Sequence, residues 1–182
     1  MQRYPIVVLV GTSGGGKTSL LLDILKRFPK DCATIKSKVT RAQRNEQDAI
    51  FYDFVSPDEF ESLVNQGRLF QTANFAGHRY GCDRQQTNDV VASKIGLVVL
   101  VQQSVADFLK AGYKLHLIEI IPDGHKPRDE AERIKDDLAR SAVSLEYEDV
   151  ITNSFAAGGF KQASDHLFMI ISKILTESRP IV

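Results

Sequence analysis

The stretch that decides the fold reads Gly11-Thr12-Ser13-Gly14-Gly15-Gly16-Lys17-Thr18. It satisfies the pattern GxxxxGK[ST] and follows a continuous apolar run of strand length, Ile6 to Val10. Beyond Thr18 the apolar residues recur at helical spacing until Pro29. The sequence therefore predicts a buried strand, a glycine-rich turn and a helix in this order, which is typical of a parallel sheet covered on both faces.

The same eight residues predict a triphosphate site. Glycines allow successive backbone N–H groups to converge on an anion at a helix N-terminus. Lys17 is expected to reach the β and γ phosphates and the Thr18 hydroxyl to ligate Mg²⁺, so ATP and Mg²⁺ are the expected cofactors. The alternative, a plain glycine-rich turn with a surface lysine, fits these flanks poorly. The predicted ATP-binding residues of this loop are Gly11, Thr12, Ser13, Gly14, Gly15, Gly16, Lys17 and Thr18.

Composition places the chain among single globular domains. Its 182 residues are 43% hydrophobic and 25% charged, and 23 basic side chains balance 23 acidic ones. This balance gives no indication of a nucleic-acid or membrane partner. Two cysteines without CxxC spacing, Cys32 and Cys82, cannot supply a disulfide framework or a structural zinc site, and Ile6 to Val10 is too short for a signal peptide or membrane span. A cytoplasmic location is expected.

Further along the chain, strands and helices are predicted to alternate, which favours a three-layer α/β fold. A helix is predicted from the Ser56 cap to about Asn65. The other predicted elements are strands at Leu97–Val101, Leu115–Ile121 (ended by Pro122) and Val150–Thr152, and helices at Val105–Ala111, Arg128–Glu146 and Phe160–Leu175.

Two arginines and two tyrosines predict a site for a second phosphate. Arg41 and Arg44, three residues apart, can offer guanidinium forks to one phosphate group. Tyr52 and Tyr80 can donate hydroxyl hydrogens to its remaining oxygens. Solvated arginines and core tyrosines are the alternative for each residue taken alone.

The motifs Ser37-Lys38-Val39-Thr40-Arg41-Ala42-Gln43-Arg44 and Gly77-His78-Arg79-Tyr80-Gly81, with Tyr52 between them, resemble the acceptor-binding region of guanylate kinases. The resemblance implies an ATP-dependent kinase that phosphorylates a nucleoside monophosphate such as GMP. It implies that the acceptor-binding residues are Ser37, Arg41, Arg44, Tyr52, Gln71 and Tyr80. It also implies that Lys17, Arg44 and Arg133 act in catalysis, that Arg128 binds ATP, and that Asn153 steadies a lid.

This resemblance divides the chain into parts of one P-loop α/β/α domain. The parallel-sheet core is expected to comprise residues 1–36, 86–121 and 147–182. The acceptor-binding insertion is expected at residues 37–85, and a short lid at residues 122–146. Arg133 aligns with one lid arginine of the family, and Lys126 and Arg128 are the candidates for another.

Several positions depart from the family pattern. Gln71 replaces the glutamate that reads the base, Val99 and Val101 replace two strand aspartates, and Cys82 replaces a serine. A carboxylate can accept from both N1–H and the 2-amino group of guanine, whereas an amide offers one acceptor oxygen. Guanine is therefore expected to be read less well.

Three other functions remain to be weighed. The related ribose 1,5-bisphosphate phosphokinases also lack the strand acids, which makes a sugar phosphate the leading alternative acceptor. Against this alternative, the chain keeps Arg44, which is expected to be lost or moved in those enzymes. A non-catalytic binding module, as in scaffold proteins, typically loses the loop lysine, which this chain keeps as Lys17. A P-loop hydrolase or switch protein has no supporting motif. The expected partner is a small-molecule phosphate acceptor, with neither nucleic acid nor membrane, and the chain is expected to be a monomer or homodimer.

Overall fold

The structure is a computed structural model that describes residues 3–124 and 145–178. Within these ranges the strands, numbered in chain order, are β1 (Ile6–Val10), β2 (Cys32–Thr34), β3 (Ser37–Val39), β4 (Tyr52–Phe54), β5 (Leu69–Phe75), β6 (His78–Asp83), β7 (Ile95–Val99), β8 (Leu115–Asp123) and β9 (Asp149–Ser154). The helices are α1 (Lys17–Arg27), α2 (Asp48–Phe51), α3 (Pro57–Asn65), α4 (Arg84–Val91), α5 (Gln102–Lys110) and α6 (Gly159–Ser178).

The larger sheet has five strands in the order β2-β7-β1-β8-β9, and every pairing is parallel. β1 lies at its centre, where Ile6 is in register with Gly96 of β7 and Leu115 of β8. All five residues of β1 are buried. The continuous apolar run in the sequence thus corresponds to a strand covered on both faces.

Helices cover both faces of this sheet. On one face, Val7 and Leu9 belong to a core cluster with residues of α1 and α6, among them Leu20 and Leu167. On the other face, Ile6, Val8 and Val10 pack with residues of α4 and α5, such as Val91 and Phe108. Alternate residues of β1 therefore face opposite helical layers, and the predicted three-layer α/β fold is confirmed.

A second sheet holds four strands in the order β4-β3-β6-β5. β3 pairs parallel with β4 and antiparallel with β6, and β5 and β6 form a hairpin. The hairpin turns at Ala76 and Gly77, which both have positive φ, 48° and 72°. Two left-handed residues in a two-residue turn match the right-handed twist of the flanking strands.

Several predicted elements agree with the structure and others need correction. β1, α1 and α3 form where predicted. The strand predicted at Leu97–Val101 lies at Ile95–Val99, and α5 begins at Gln102 instead of Val105, because the chain turns at Leu100 and Val101. β8 does not end before Pro122 but continues to Asp123. Beyond Glu119 it pairs with β9 alone, so a residue without an N–H is tolerated there.

Three further predictions can be compared with the elements near the C-terminus. The short strand predicted at Val150–Thr152 is β9, and the closing helix predicted at Phe160–Leu175 is α6, each longer than expected. The helix predicted at Arg128–Glu146 falls almost wholly outside the described residues. No described helix is long and apolar enough to cross a membrane.

Both cysteines are buried in these cores and neither forms a disulfide. Cys32 lies in β2 and Cys82 in β6. Burial raises the pKa of each thiol to about 12. Both side chains are therefore neutral thiols at physiological pH.

Candidate active site

The glycine-rich stretch forms a tight loop between β1 and α1, here called the phosphate loop (residues 11–18). Gly14 and Gly16 have φ near +80°, at 81° and 82°, and Gly16 caps the N-terminus of α1. Gly11 has φ 138°, and a Cβ at this position would collide with the carbonyl oxygen of Ile120. Side chains are excluded at these three positions, so the loop backbone lies open at the helix N-terminus.

Lys17 folds back along the phosphate loop. Its Nζ donates to the carbonyl oxygen of Gly11 over 2.8 Å and to that of Thr12 over 2.6 Å. The ammonium group is thereby held beside the loop glycines. A triphosphate on the loop would meet this positive charge together with the helix N-terminus.

Asn153, near the end of β9, supports the phosphate loop from below. It is only 1% exposed, and its Nδ2 donates to the carbonyl oxygen of Gly15 over 3.0 Å. Its Oδ1 has no hydrogen-bond partner among the described residues. The lid that the resemblance implies for Asn153 lies almost wholly outside the described residues, and its first two residues, Pro122 and Asp123, belong to β8, so the observed contact is with the loop.

Arg41 is a buried cation on the opposite side of the site. It is 5% exposed, and its Nη1 donates to Asp48 Oδ2 over 2.7 Å and to the carbonyl oxygen of Ala42 over 2.9 Å. The guanidinium carbon lies 4.6 Å from the ring centroid of Tyr52. A cation held against an aromatic face and a carboxylate keeps one orientation.

Asp48 organises the segment that carries both arginines. Its Oδ2 also accepts from the backbone N–H of Arg44 over 2.9 Å, and its own N–H donates to Asn45 Oδ1. Burial alone would raise the pKa of Asp48, but the hydrogen bonds from Arg41 and from the Arg44 backbone outweigh it and lower the pKa below its ordinary value. Asp48 is therefore ionised at neutral pH.

Three buried polar side chains, Gln71, Ser104 and Ser37, also line the site, with the half-buried Tyr80 beside them. Gln71 on β5 is 4% exposed, and its Nε2 donates to Ser104 Oγ on α5 over 2.8 Å. Ser37 Oγ lies 3.6 Å from Cys82 Sγ. Tyr80, from β6, packs edge-on against Tyr52, with ring centroids 6.2 Å apart.

One cavity of about 440 Å³ brings these groups together. Phosphate-loop residues, acceptor-site residues and apolar side chains such as Val99 and Leu100 all line it. The predicted residues that line it are Gly11, Ser13, Gly14, Gly15, Gly16, Lys17, Thr18, Ser37, Arg41, Arg44, Tyr52, Gln71 and Tyr80. Thr12 is not among its lining residues. Arg128 and Arg133 lie outside the described residues.

Among the lining residues of this cavity that sequence reasoning did not assign to the site, two make specific side-chain contacts with predicted residues. Asp48 and Ser104 both line it. Asp48 lies outside the quoted motifs, and Ser104 ends the stretch aligned with the strand aspartates but was given no role; their importance comes from the tertiary contacts with Arg41 and Gln71. Val99 and Val101 also line the cavity, at the positions where the family pattern has acids.

The donors for a metal ion are sparse. Thr18 supplies a hydroxyl at the cavity wall, and the described residues contain no cluster of three or more histidines, cysteines or carboxylates that could hold an ion. Mg²⁺ usually keeps several waters and binds through substrate phosphates with few protein ligands. These residues suit an ion that arrives with the nucleotide and is touched by Thr18.

Comparison with known proteins decides the family. The family model described as guanylate kinase matches residues 3–153, most of the chain. The chain belongs to the guanylate kinase family. This guanylate kinase family member carries the GxxxxGK[ST] phosphate loop, and its low identity to the relatives described next fits a divergent member.

Curated relatives agree with this assignment. A guanylate kinase of Thermosynechococcus vestitus is 27% identical over 153 residues, which cover 81% of this chain and 80% of the relative. One from Synechococcus sp. (strain CC9311) is 38% identical over 96 residues, covering 52% and 50% of the two chains. The crystal structure of a guanylate kinase from Anaplasma phagocytophilum matches with a TM-score of 0.67 and 23% identity, over 99% of this chain and 89% of that one.

These matches confirm three expectations from the sequence. The family is the expected one, the fold is the expected P-loop α/β fold, and the class of activity is that of a nucleoside monophosphate kinase. The relatives support this interpretation over the sugar-phosphate kinase and the non-catalytic binding module.

Proposed function

We propose that this protein transfers the γ-phosphoryl group of ATP to GMP, producing ADP and GDP. The observation that carries the proposal is the single cavity lined both by the phosphate loop and by Arg41, Arg44, Tyr52 and Tyr80. One set of groups suits a triphosphate and the other a monophosphate. Their convergence supports a direct transfer between two bound nucleotides.

Catalysis then rests on positioning and on charge. The bond between the γ-phosphorus and its bridging oxygen to the β-phosphate breaks, and a bond to an oxygen of the acceptor phosphate forms. Lys17 and the N-terminus of α1 stabilise negative charge on the transferring group and on the departing ADP. Mg²⁺, touched by Thr18, would add charge neutralisation when bound with the nucleotide.

Arg41 and Arg44 hold the acceptor in line. Arg41 keeps its direction through Asp48 and the Tyr52 ring, so little side-chain freedom is lost when the phosphate binds. Arg44 is held through its backbone N–H by the same carboxylate. Arg133 and Arg128 would supply further positive charge from a lid at residues 122–146, and residues 37–85 would form the acceptor-binding region.

The test is an assay of ADP release with ATP and Mg²⁺ across a panel of nucleoside monophosphates, with ribose 1,5-bisphosphate included. Saturable turnover with GMP supports the proposal. ATP binding without turnover on any acceptor would contradict it and would favour a binding role.

A further inference from the structure

Gln71 and Ser104 form a buried pair in the part of the cavity where the resemblance to guanylate kinases places the base. Both side chains line the cavity, and they are 4% and 2% exposed. Gln71 Nε2 donates to Ser104 Oγ over 2.8 Å, and no described residue donates to Gln71 Oε1. Since this bond takes one of the two amide hydrogens and fixes the orientation of the amide, the acceptor that Gln71 offers to a ligand is its oxygen.

The single oxygen of Gln71 faces two hydrogen-bond donors when guanine binds. The guanine edge presents two adjacent donors, N1–H and the 2-amino group, beside the O6 acceptor. One amide oxygen can satisfy N1–H well but does not provide a second, charged acceptor for the amino group. Among the described residues that line the cavity, Asp48 is the only carboxylate, and its Oδ2 accepts from both Arg41 and the Arg44 backbone on the acceptor-phosphate side.

Hydrogen-bond donors for the O6 atom of the base are available in the cavity. Ser104 accepts through Oγ and keeps its own hydroxyl hydrogen for donation. Ser37 lies beside Cys82, whose thiol can donate to it and so free the Ser37 hydroxyl hydrogen as well. Two hydroxyl donors and one acceptor suit a 6-oxopurine, which has an acceptor at O6 and a donor at N1. Adenine reverses both positions.

We propose that Gln71, oriented by Ser104, makes this kinase select 6-oxopurine nucleoside monophosphates without selecting for the 2-amino group, so that IMP is an acceptor comparable to GMP. The proposal rests on the proposed function and names the range of its acceptors. Gln71 acts as a specificity-determining residue, and Ser104 as the residue that positions it.

The experiment compares kcat/KM for GMP, IMP and AMP at saturating ATP. We expect GMP and IMP to differ by less than about tenfold, because a well-placed hydrogen bond to a charged group is worth at least that factor and this site lacks one for the amino group. AMP should be at least about tenfold poorer, because adenine has a donor in place of the O6 acceptor and an acceptor in place of the N1 donor. The Gln71→Glu variant should raise the ratio of GMP to IMP by about tenfold or more. Gln103→Glu is the matched control, since Gln103 is exposed, precedes Ser104 and does not line this cavity.

Ser104 is tested by its effect on selectivity. In Ser104→Ala the amide of Gln71 is free to rotate and to present its NH₂ to the base, and one hydroxyl donor to O6 is lost, so KM for GMP and IMP should rise and AMP should gain relative to IMP. Ser104→Thr keeps the hydroxyl and should restore the wild-type ratio. A purely structural role for Ser104 would lower all activities together and leave the IMP to AMP ratio unchanged.

The outcomes separate this inference from the function on which it rests. A wild-type preference for GMP over IMP of about tenfold or more, or an AMP activity equal to that of IMP, overturns the inference and leaves a guanylate kinase. If no acceptor is turned over, the proposed function fails, and calorimetric dissociation constants for GMP, IMP and AMP decide the inference by the same ratios. Absence of binding by all three overturns both.

Discussion

Asn153 donates a hydrogen bond from its side-chain amide to the carbonyl oxygen of Gly15, which joins the end of β9 to the middle of the phosphate loop over 3.0 Å. The same amide lies so close to Gly16 that a Cβ there would collide with it. Gly16 also has a left-handed backbone. The conformation of the loop is thus coupled to β9, a strand that lies outside the GxxxxGK[ST] motif.

Replacement of Asn153 by alanine should therefore impair ATP binding selectively. We expect Asn153→Ala to raise KM for ATP by about tenfold, because the loss of a buried hydrogen bond leaves the Gly15 carbonyl unpaired. KM for GMP should stay within about twofold, as Asn153 does not touch the acceptor side. Initial rates with each substrate varied in turn measure both values. Asn65→Ala, at the exposed end of α3, is the control, and equal increases in both KM values would contradict a loop-specific role.

Loss of the Lys17 ammonium should stop the transfer step. Lys17→Ala is expected to lower kcat by at least about a hundredfold, because the cation is placed to stabilise charge that develops during transfer. Rapid-quench single-turnover measurements report this step directly. Lys26→Ala removes an exposed lysine from the last turn of the same helix and should retain wild-type turnover. Wild-type kcat in Lys17→Ala would refute the mechanism.

The Arg41–Asp48 pair should control acceptor affinity. Arg41→Ala should raise KM for the acceptor by about ten- to a hundredfold, the range expected for a lost hydrogen bond to a charged group. Asp48→Asn should raise it by a smaller factor, since Arg41 and the Arg44 backbone lose their common partner but the phosphate ligands remain. Steady-state kinetics of the two variants and of the double variant measure the coupling. Independent, additive effects would show that Asp48 does not position Arg41.

Stability should depend on pH through Asp48. Because the pKa of Asp48 is lowered in the folded protein, the unfolded chain binds the proton more readily. The contribution of the Arg41–Asp48 pair to the free energy of unfolding is therefore fully present above the ordinary carboxyl pKa. It is lost as pH falls through the lowered folded-state pKa. Urea unfolding of wild type and Asp48→Asn should give a difference of about 1 to 3 kcal/mol at pH 7 that disappears in the acid range, below about pH 4. A difference that stays constant down to pH 2 would contradict this assignment.

The phosphate-loop region was predictable because its signals are local. The run Ile6–Val10 is long enough and apolar enough to identify a central strand, and the spacing of Gly11, Gly16 and Lys17 specifies the turn that follows. The ends of later strands were less predictable. The sequence pattern of apolar residues continues through Leu100 and Val101, although these residues already lead into α5.

The second sheet gave weaker signals. β3 and β4 are three residues long, and β5 is only partly buried, so neither length nor alternation separates them from loops. Ala76-Gly77 is the one local indication of a hairpin, and an alanine with positive φ is uncommon there. Asp48 and Ser104 could not be found from sequence because their roles depend on contacts with Arg41 and Gln71 across 7 and 33 positions of the chain.

The burial of Cys32 in one sheet and Cys82 in the other has a practical consequence for measuring motion. The chain has two cysteines, and both are inaccessible thiols with a pKa near 12. Maleimide dyes and nitroxide labels react through the exposed thiolate, so the native protein should take up neither. One surface cysteine introduced on each sheet would therefore carry a label pair without the need to remove Cys32 or Cys82. The distance between the two labels would report directly whether the sheets approach each other when both nucleotides bind.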